Sequence, residues 1–192
     1  MLRYAFVILC LGLAPALTPV AAKAELMDYG IGVGETIPND LTSVDQLGQV
    51  QNFETLQSEK GLVLVFVRSA DWCPYCQAQL IDLGQRGHEI EATGYNLVGI
   101  SYDSTDKLMD FTKKYDFQYT LLSDPDSEII KDFGVLNTTL DQDSDYYGTP
   151  FPGIFIIGSN GVVQGKLFEE DYKNRPPVEQ IVATIKGIDL PQ

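Results

Sequence analysis

The sequence predicts an α/β fold, a central mixed β-sheet with helices on both faces. Three observations carry that expectation. Apolar runs at 62–67, 95–101 and 152–157 read as strands, and 62–67 is continuous enough to be buried on both faces. Helical patterns separate the successive strands in the first two-thirds of the chain, which calls for parallel crossovers. Ser159-Asn160-Gly161 then divides the last two strand runs. That is a hairpin turn, and it supplies antiparallel members.

Each element has its own justification. Residues 25–38 form a glycine-rich lead-in, with Gly30, Gly32 and Gly34. A short strand is expected at 41–46, with Gly48 as a turn. Asn52 is placed to cap a helix over 53–58 that closes near Gly61. The strand at 62–67 follows. A helical pattern at 77–91 turns Leu80, Leu83 and Ile90 inward, with a kink or break expected at Gly84 and Gly87. After the strand at 95–101, Asp103 or Ser104 caps a helix to Tyr115, with Leu108 and Phe111 on its inner face. A strand at 119–122 leads to Asp124-Pro125-Asp126, which opens a helix through Phe133 that Gly134 stops. Residues 135–149 are irregular and polar. Strands at 152–157 and 162–168 flank the hairpin turn. Pro176 and Pro177 begin a final helix, with Val178, Ile181, Val182 and Ile185 apolar and Gly187 ending it.

The chain has 192 residues, enough for one domain and a small addition. Its 27 acidic and 13 basic residues give a net charge of −14. A nucleic-acid binder carries a basic footprint, and this chain has none. The first 24 residues read as a signal peptide: Arg3, an apolar stretch from Tyr4 to Leu13, then Ala- and Pro-rich sequence with cleavage expected near Ala22 or Ala24. The expected division is therefore 1–24 leader and 25–192 domain, in the periplasm or secreted. Any membrane attachment would be through an uncleaved leader, whose apolar run is short of the ~20 residues of a span. Cleavage removes Cys10, Arg3 and Lys23 and takes the net charge to −16.

Two cysteines then remain, Cys73 and Cys76, in Trp72-Cys73-Pro74-Tyr75-Cys76. The pair sits where a buried strand turns into a helix. The partial positive charge and free N–H groups of a helix N-terminus favour thiolate over thiol. Two intervening residues let one thiol attack a mixed disulfide formed on the other. A lone close pair is no stapled scaffold, so a working dithiol is the leading reading. A static bridge and half of a zinc site are the alternatives. Zinc needs two further ligands, and the cleaved chain offers only His88 besides. No cofactor or metal is expected beyond the redox-active disulfide itself. Arg68, at the strand end, is a candidate for tuning a thiolate. Asp141, Asp143 and Asp145 have the spacing that opens a calcium loop, but Tyr146 stands where glycine is required, so a solvated loop is expected, with Tyr146 and Tyr147 near the substrate approach.

The motif after its strand resembles the active site of the thioredoxin superfamily, and Thr149-Pro150-Phe151-Pro152-Gly153 resembles the segment carrying that family's cis-proline. Val33-Gly34-Glu35-Thr36-Ile37-Pro38 and Gly158-Ser159-Asn160-Gly161 are similar to the redoxin or peroxiredoxin-like branch (alkyl hydroperoxide reductase/thiol-specific antioxidant type). The resemblance implies a thioredoxin-like fold. It also implies Cys73 as an exposed attacking thiolate, Cys76 as the resolving thiol, Pro152 in cis, and Phe151 offering its backbone to an extended substrate. Trp72, Pro74 and Tyr75 complete the wall. The implied partners are protein or small-molecule thiols and disulfides with a reductant or oxidant.

The sequence departs from the branch in specific places. Its peroxidases place Pro and Thr before the reactive cysteine as P-x-x-x-T-x-x-C. With Cys76 in that place the positions hold Ser69 and Cys73; with Cys73 there, they hold Phe66 and Ala70. No arginine stands beside Pro152. Thioredoxin's buried acid, six residues before the first cysteine, is replaced by Val67. The expected function is accordingly thiol–disulfide exchange by an exported oxidoreductase. Thiol-dependent peroxide reduction is the alternative, and a metal-binding or interaction module a third.

Overall fold

A computed structural model describes residues 29–38 and 41–189. The leader, Cys10 and the cleavage region lie outside the described residues. No described helix is long and apolar enough to cross a membrane.

The elements run β1 (Thr42–Asp45), β2 (Val50–Asn52), α1 (Phe53–Leu56), β3 (Gly61–Phe66), α2 (Pro74–Arg86), α3 (His88–Glu91), β4 (Tyr95–Ser101), α4 (Thr105–Tyr115), β5 (Thr120–Ser123), α5 (Glu128–Asp132), β6 (Gly153–Gly158), β7 (Val163–Phe168) and α6 (Val178–Ile188). They build one sheet in the order β2-β1-β5-β4-β3-β6-β7. β3 pairs in parallel with β4, and β4 with β5; the β3–β6, β6–β7, β1–β5 and β1–β2 pairings are antiparallel. The expected mixed sheet is present, with β2 as an added edge strand.

β3 is buried along its whole length, and its period-2 alternation feeds two cores. Val63 and Val65 join Leu80 and Leu83 of α2, Leu108 and Phe111 of α4, and Ile181 and Ile185 of α6. Leu62, Leu64 and Phe66 join Leu56, Ile129, Ile130, Phe133 and Phe155 on the other face. Helices therefore cover both faces, and the dithiol lies beyond the C-terminal end of β3.

Local chemistry accounts for most boundaries. Asn52 and Thr55 form a reciprocal capping box on α1. The long helix does break at Gly87, where an added Cβ would stand 2.6 Å from the Leu83 carbonyl oxygen. Its start differs from the expectation: α2 begins at Pro74, not Gln77, because proline needs no N–H partner in a first turn. α6 runs one residue past Gly187. Gly134 takes a positive φ of 68° just beyond α5, a conformation glycine adopts without strain.

Candidate active site

The strand-to-helix loop is fixed from below. β3 ends at Phe66, and Ser69 and Ala70 pass over the end of β4. Asp103, 3% exposed, accepts the Ser69 hydroxyl at 2.8 Å and the Ala70 N–H at 2.7 Å. It also accepts the Ser101 hydroxyl at 2.8 Å. Ser69 Oγ in turn accepts the N–H groups of Asp71 and Trp72. Gln77 reaches back from α2 to the Ala70 and Asp71 carbonyls at 2.8 and 2.7 Å. Of the two cap candidates, Asp103 and Ser104, the second takes the position, with no side-chain hydrogen bond, and the Asp103 carboxylate serves the loop instead.

Cys73 is the N-cap of α2 and Pro74 its first residue. Cys73 and Cys76 form a disulfide. Cys73 Sγ accepts the Cys76 N–H at 3.3 Å, so the helix N-terminus is aimed at the sulfur. The expected exposure of Cys73 is corrected: it is 1% exposed and Cys76 0%, because the motif packs into the core beside Val65 and Leu80. Trp72 immediately precedes the pair. Its Nε1–H donates to the Tyr102 hydroxyl at 2.8 Å, and its ring lies 4.6 Å from that of Tyr146. Tyr75 meets Tyr172 edge-on at 6.1 Å, and both rings are exposed at the rim.

Two arginines converge here. Arg68 lies over the rings of Trp72 and Tyr172 at 4.8 and 5.0 Å. Arg175, from the segment between β7 and α6, donates through Nη2 to Cys76 Sγ at 3.6 Å. Burial pushes the Arg175 guanidinium down to about 10, and repulsion from Arg68 adds to the shift. Arg175 escaped the sequence reading because it stands 99 residues beyond Cys76. A lone arginine before two prolines carries no local signal.

Phe151 and Pro152 immediately precede β6. Both residues line a cavity of about 350 Å³ with Tyr29, Arg68, Leu140 and Tyr172. The described residues contain no cis peptide bond, so the cis reading of Pro152 is corrected. The reason lies in the neighbouring loop. Phe151 N–H donates to Val135 O at 2.7 Å, and Leu136 bridges Pro150, so the backbone expected to meet substrate is paired internally. His88 is exposed at the start of α3. Asp141, Asp143 and Asp145 are exposed, as a solvated loop requires. Among the described residues no group of three or more His, Cys, Asp or Glu side chains could hold a metal ion.

Comparison with known proteins gives this arrangement its context. The AhpC/TSA family matches residues 33–166. Peroxiredoxin bcp1 of Schizosaccharomyces pombe is 35% identical over 121 residues, 63% of this chain and 61% of its own. A putative peroxiredoxin bcp of Haemophilus influenzae is 29% identical over 158 residues, 80% of this chain and 97% of its own. Among solved structures, peroxidoxin BcpB from Mycobacterium tuberculosis superposes with a TM-score of 0.70 at 24% identity, covering 82% of this chain and 98% of that one. That likeness bears out the thioredoxin-like fold. The chain is an oxidoreductase and belongs to the AhpC/TSA family.

Proposed function

We propose that this protein is a thiol-dependent peroxidase in which, in the reverse of the roles the family resemblance implies, Cys76 attacks the peroxide and Cys73 resolves. The observation that carries the reading is the Arg175–Cys76 contact. A guanidinium against a sulfur stabilises its thiolate, and the same cation can hold the charge that develops on a departing oxygen. The Cys76 thiolate attacks one peroxide oxygen and the O–O bond breaks. The alkoxide or hydroxide leaves and takes up a proton, and Cys76 becomes a sulfenic acid. The Cys73 thiol then attacks that sulfur, forming the disulfide and releasing water. External thiols return two electrons and two protons. The relatives named as peroxiredoxins support this reaction. The burial of both sulfurs also favours a small oxidant over a folded disulfide substrate. With cleavage of the leader, the reaction takes place outside the cytoplasm.

The test is peroxide consumption by the reduced protein in the presence of a thiol reductant. Cys76→Ser is expected to abolish it. Cys73→Ser is expected to give one turnover and leave a sulfenic acid on Cys76 that dimedone labels. Disulfide exchange, the rival reading, draws on the Cys-x-x-Cys pair at a helix N-terminus. Rapid reduction of insulin disulfides without peroxide consumption would establish it and refute the peroxidase.

A further inference from the structure

In the disulfide form Arg175, against Cys76, has a second guanidinium, that of Arg68, as its neighbour. Among the described residues neither Arg68 nor Arg175 is ion-paired with a carboxylate. Each has a buried Nε without a hydrogen-bond partner. The chain has carboxylates to spare, with a net charge of −14. Glu169 and Glu170 line the adjacent cavity with Arg68, and Asp171 attracts Arg175 through space, yet none closes on a guanidinium. Like charges left unpaired beside a disulfide destabilise that form and wait for anions. Two anions arrive only on reduction: the attacking thiolate and the thiolate that leaves.

We propose that the disulfide is reduced by a small, negatively charged monothiol, with Arg175 and Arg68 favouring the dithiol form. Leaving-group chemistry selects the sulfur attacked. A better-stabilised thiolate leaves faster, and Arg175 touches Cys76. A thiolate RS⁻ therefore attacks Cys73 Sγ, the Cys73–Cys76 bond breaks, and Cys76 departs as the thiolate. A second RS⁻ attacks the Cys73 mixed disulfide on its own RS sulfur, releasing RSSR and leaving Cys73 to be protonated. Two thiols are oxidised to one disulfide, and one protein disulfide becomes two thiols. Stabilisation by Arg175 also makes the Cys76 thiolate a poorer nucleophile, which slows its return onto the mixed disulfide and gives the second monothiol time. Small size follows from burial: Cys73 is 1% exposed and Cys76 0%, so the bridge has almost no surface for a folded partner to reach.

The inference rests on the redox pair proposed above, but its test needs no peroxide, so the two readings fail separately. The oxidised protein is equilibrated with mixtures of reduced and oxidised glutathione, and free thiols are counted. Substantial reduction of the wild type is expected. Arg175→Gln should move the equilibrium constant about tenfold towards the disulfide, or ~30 mV. Arg68→Gln should move it the same way by less. At equal thiolate concentration, glutathione should react faster than the positively charged thiol cysteamine, and Arg68→Gln should narrow that gap. If circular dichroism shows Arg175→Gln unfolded, Arg68→Gln and Arg175→Lys, which keeps the charge, decide the matter. A wild-type disulfide that resists excess glutathione and yields only to dithiothreitol would overturn the proposal. So would folded charge-removing variants with an unchanged constant.

Discussion

Asp103 holds the backbone of Ala70 through a 2.7 Å hydrogen bond, three residues before Cys73. The same carboxylate takes the Ser69 and Ser101 hydroxyls. The end of β4 thus sets the height of the loop from which α2 starts, and with it the place of Cys73 at the helix N-terminus.

Asp103→Ala should therefore act on both stability and rate. It strands buried donors at Ser69 and Ala70, and a buried donor without a partner costs ~1–3 kcal/mol. A loss of about 2–4 kcal/mol is expected in urea unfolding. Loop misplacement should also slow the reduced protein's reaction with peroxide by on the order of tenfold or more. Asp103→Asn keeps the shape and should fall between. Full reactivity in a destabilised Asp103→Ala protein would show that the carboxylate only holds the fold.

Arg175 yields a prediction that separates the two redox states. In the disulfide form its guanidinium sits at about 10, well below its ordinary value. A base whose folded value is lowered binds fewer protons folded than unfolded within that window. Burying the charge therefore opposes folding below pH 10, and the penalty fades as pH rises above about 10 towards the unfolded guanidinium's ordinary value. Arg175→Gln should stabilise the oxidised protein at pH 7–8 and lose that advantage above pH 10. In the reduced protein, where a thiolate faces the cation, the gain should shrink or reverse. Urea midpoints of both variants in both redox states measure this, and equal effects in the two states would contradict it.

Tyr119 offers a test of the core beneath the site. Its hydroxyl, in a residue 8% exposed, donates to the Leu80 carbonyl of α2 at 2.9 Å. Burial pushes the phenol well above its ordinary value. A raised folded value means that the associated stability is present below the unfolded phenol's pKa, near 10, and is lost as pH climbs towards the folded one. Tyr119→Phe should cost ~1 kcal/mol at neutral pH. It should also reduce the alkaline loss of stability, followed by denaturant melts between pH 9 and 11. A phenolate titrating near pH 10 in the folded protein at this residue would refute the buried hydrogen bond.

Sequence and structure divided this protein along a physical line. Whatever depends on neighbours in the chain was legible in the residues. The run 62–67 can only be a doubly buried strand, Asn52 can cap only the helix it precedes, and a Cys-x-x-Cys after such a strand lands at a helix N-terminus. What depends on distant segments was not legible. The cis expectation for Pro152 failed because residues 135–137 pair with 149–151, a contact no local pattern announces. The edge strand β2 was missed because three residues, with Val50 and Asn52 exposed and only Gln51 half-buried, carry too little periodicity. The acid under the loop comes from β4's end, not from the strand that leads into the motif, where Val67 stands. The cation at the dithiol likewise comes from the segment before α6, which reaches Cys76 only because β6 and β7 return the chain to that end of the sheet. The residues alone therefore determined that a dithiol stands at a helix start. Only tertiary packing decided that it is buried and that a guanidinium faces Cys76, since both need segments far apart in the chain to close over one end of the sheet.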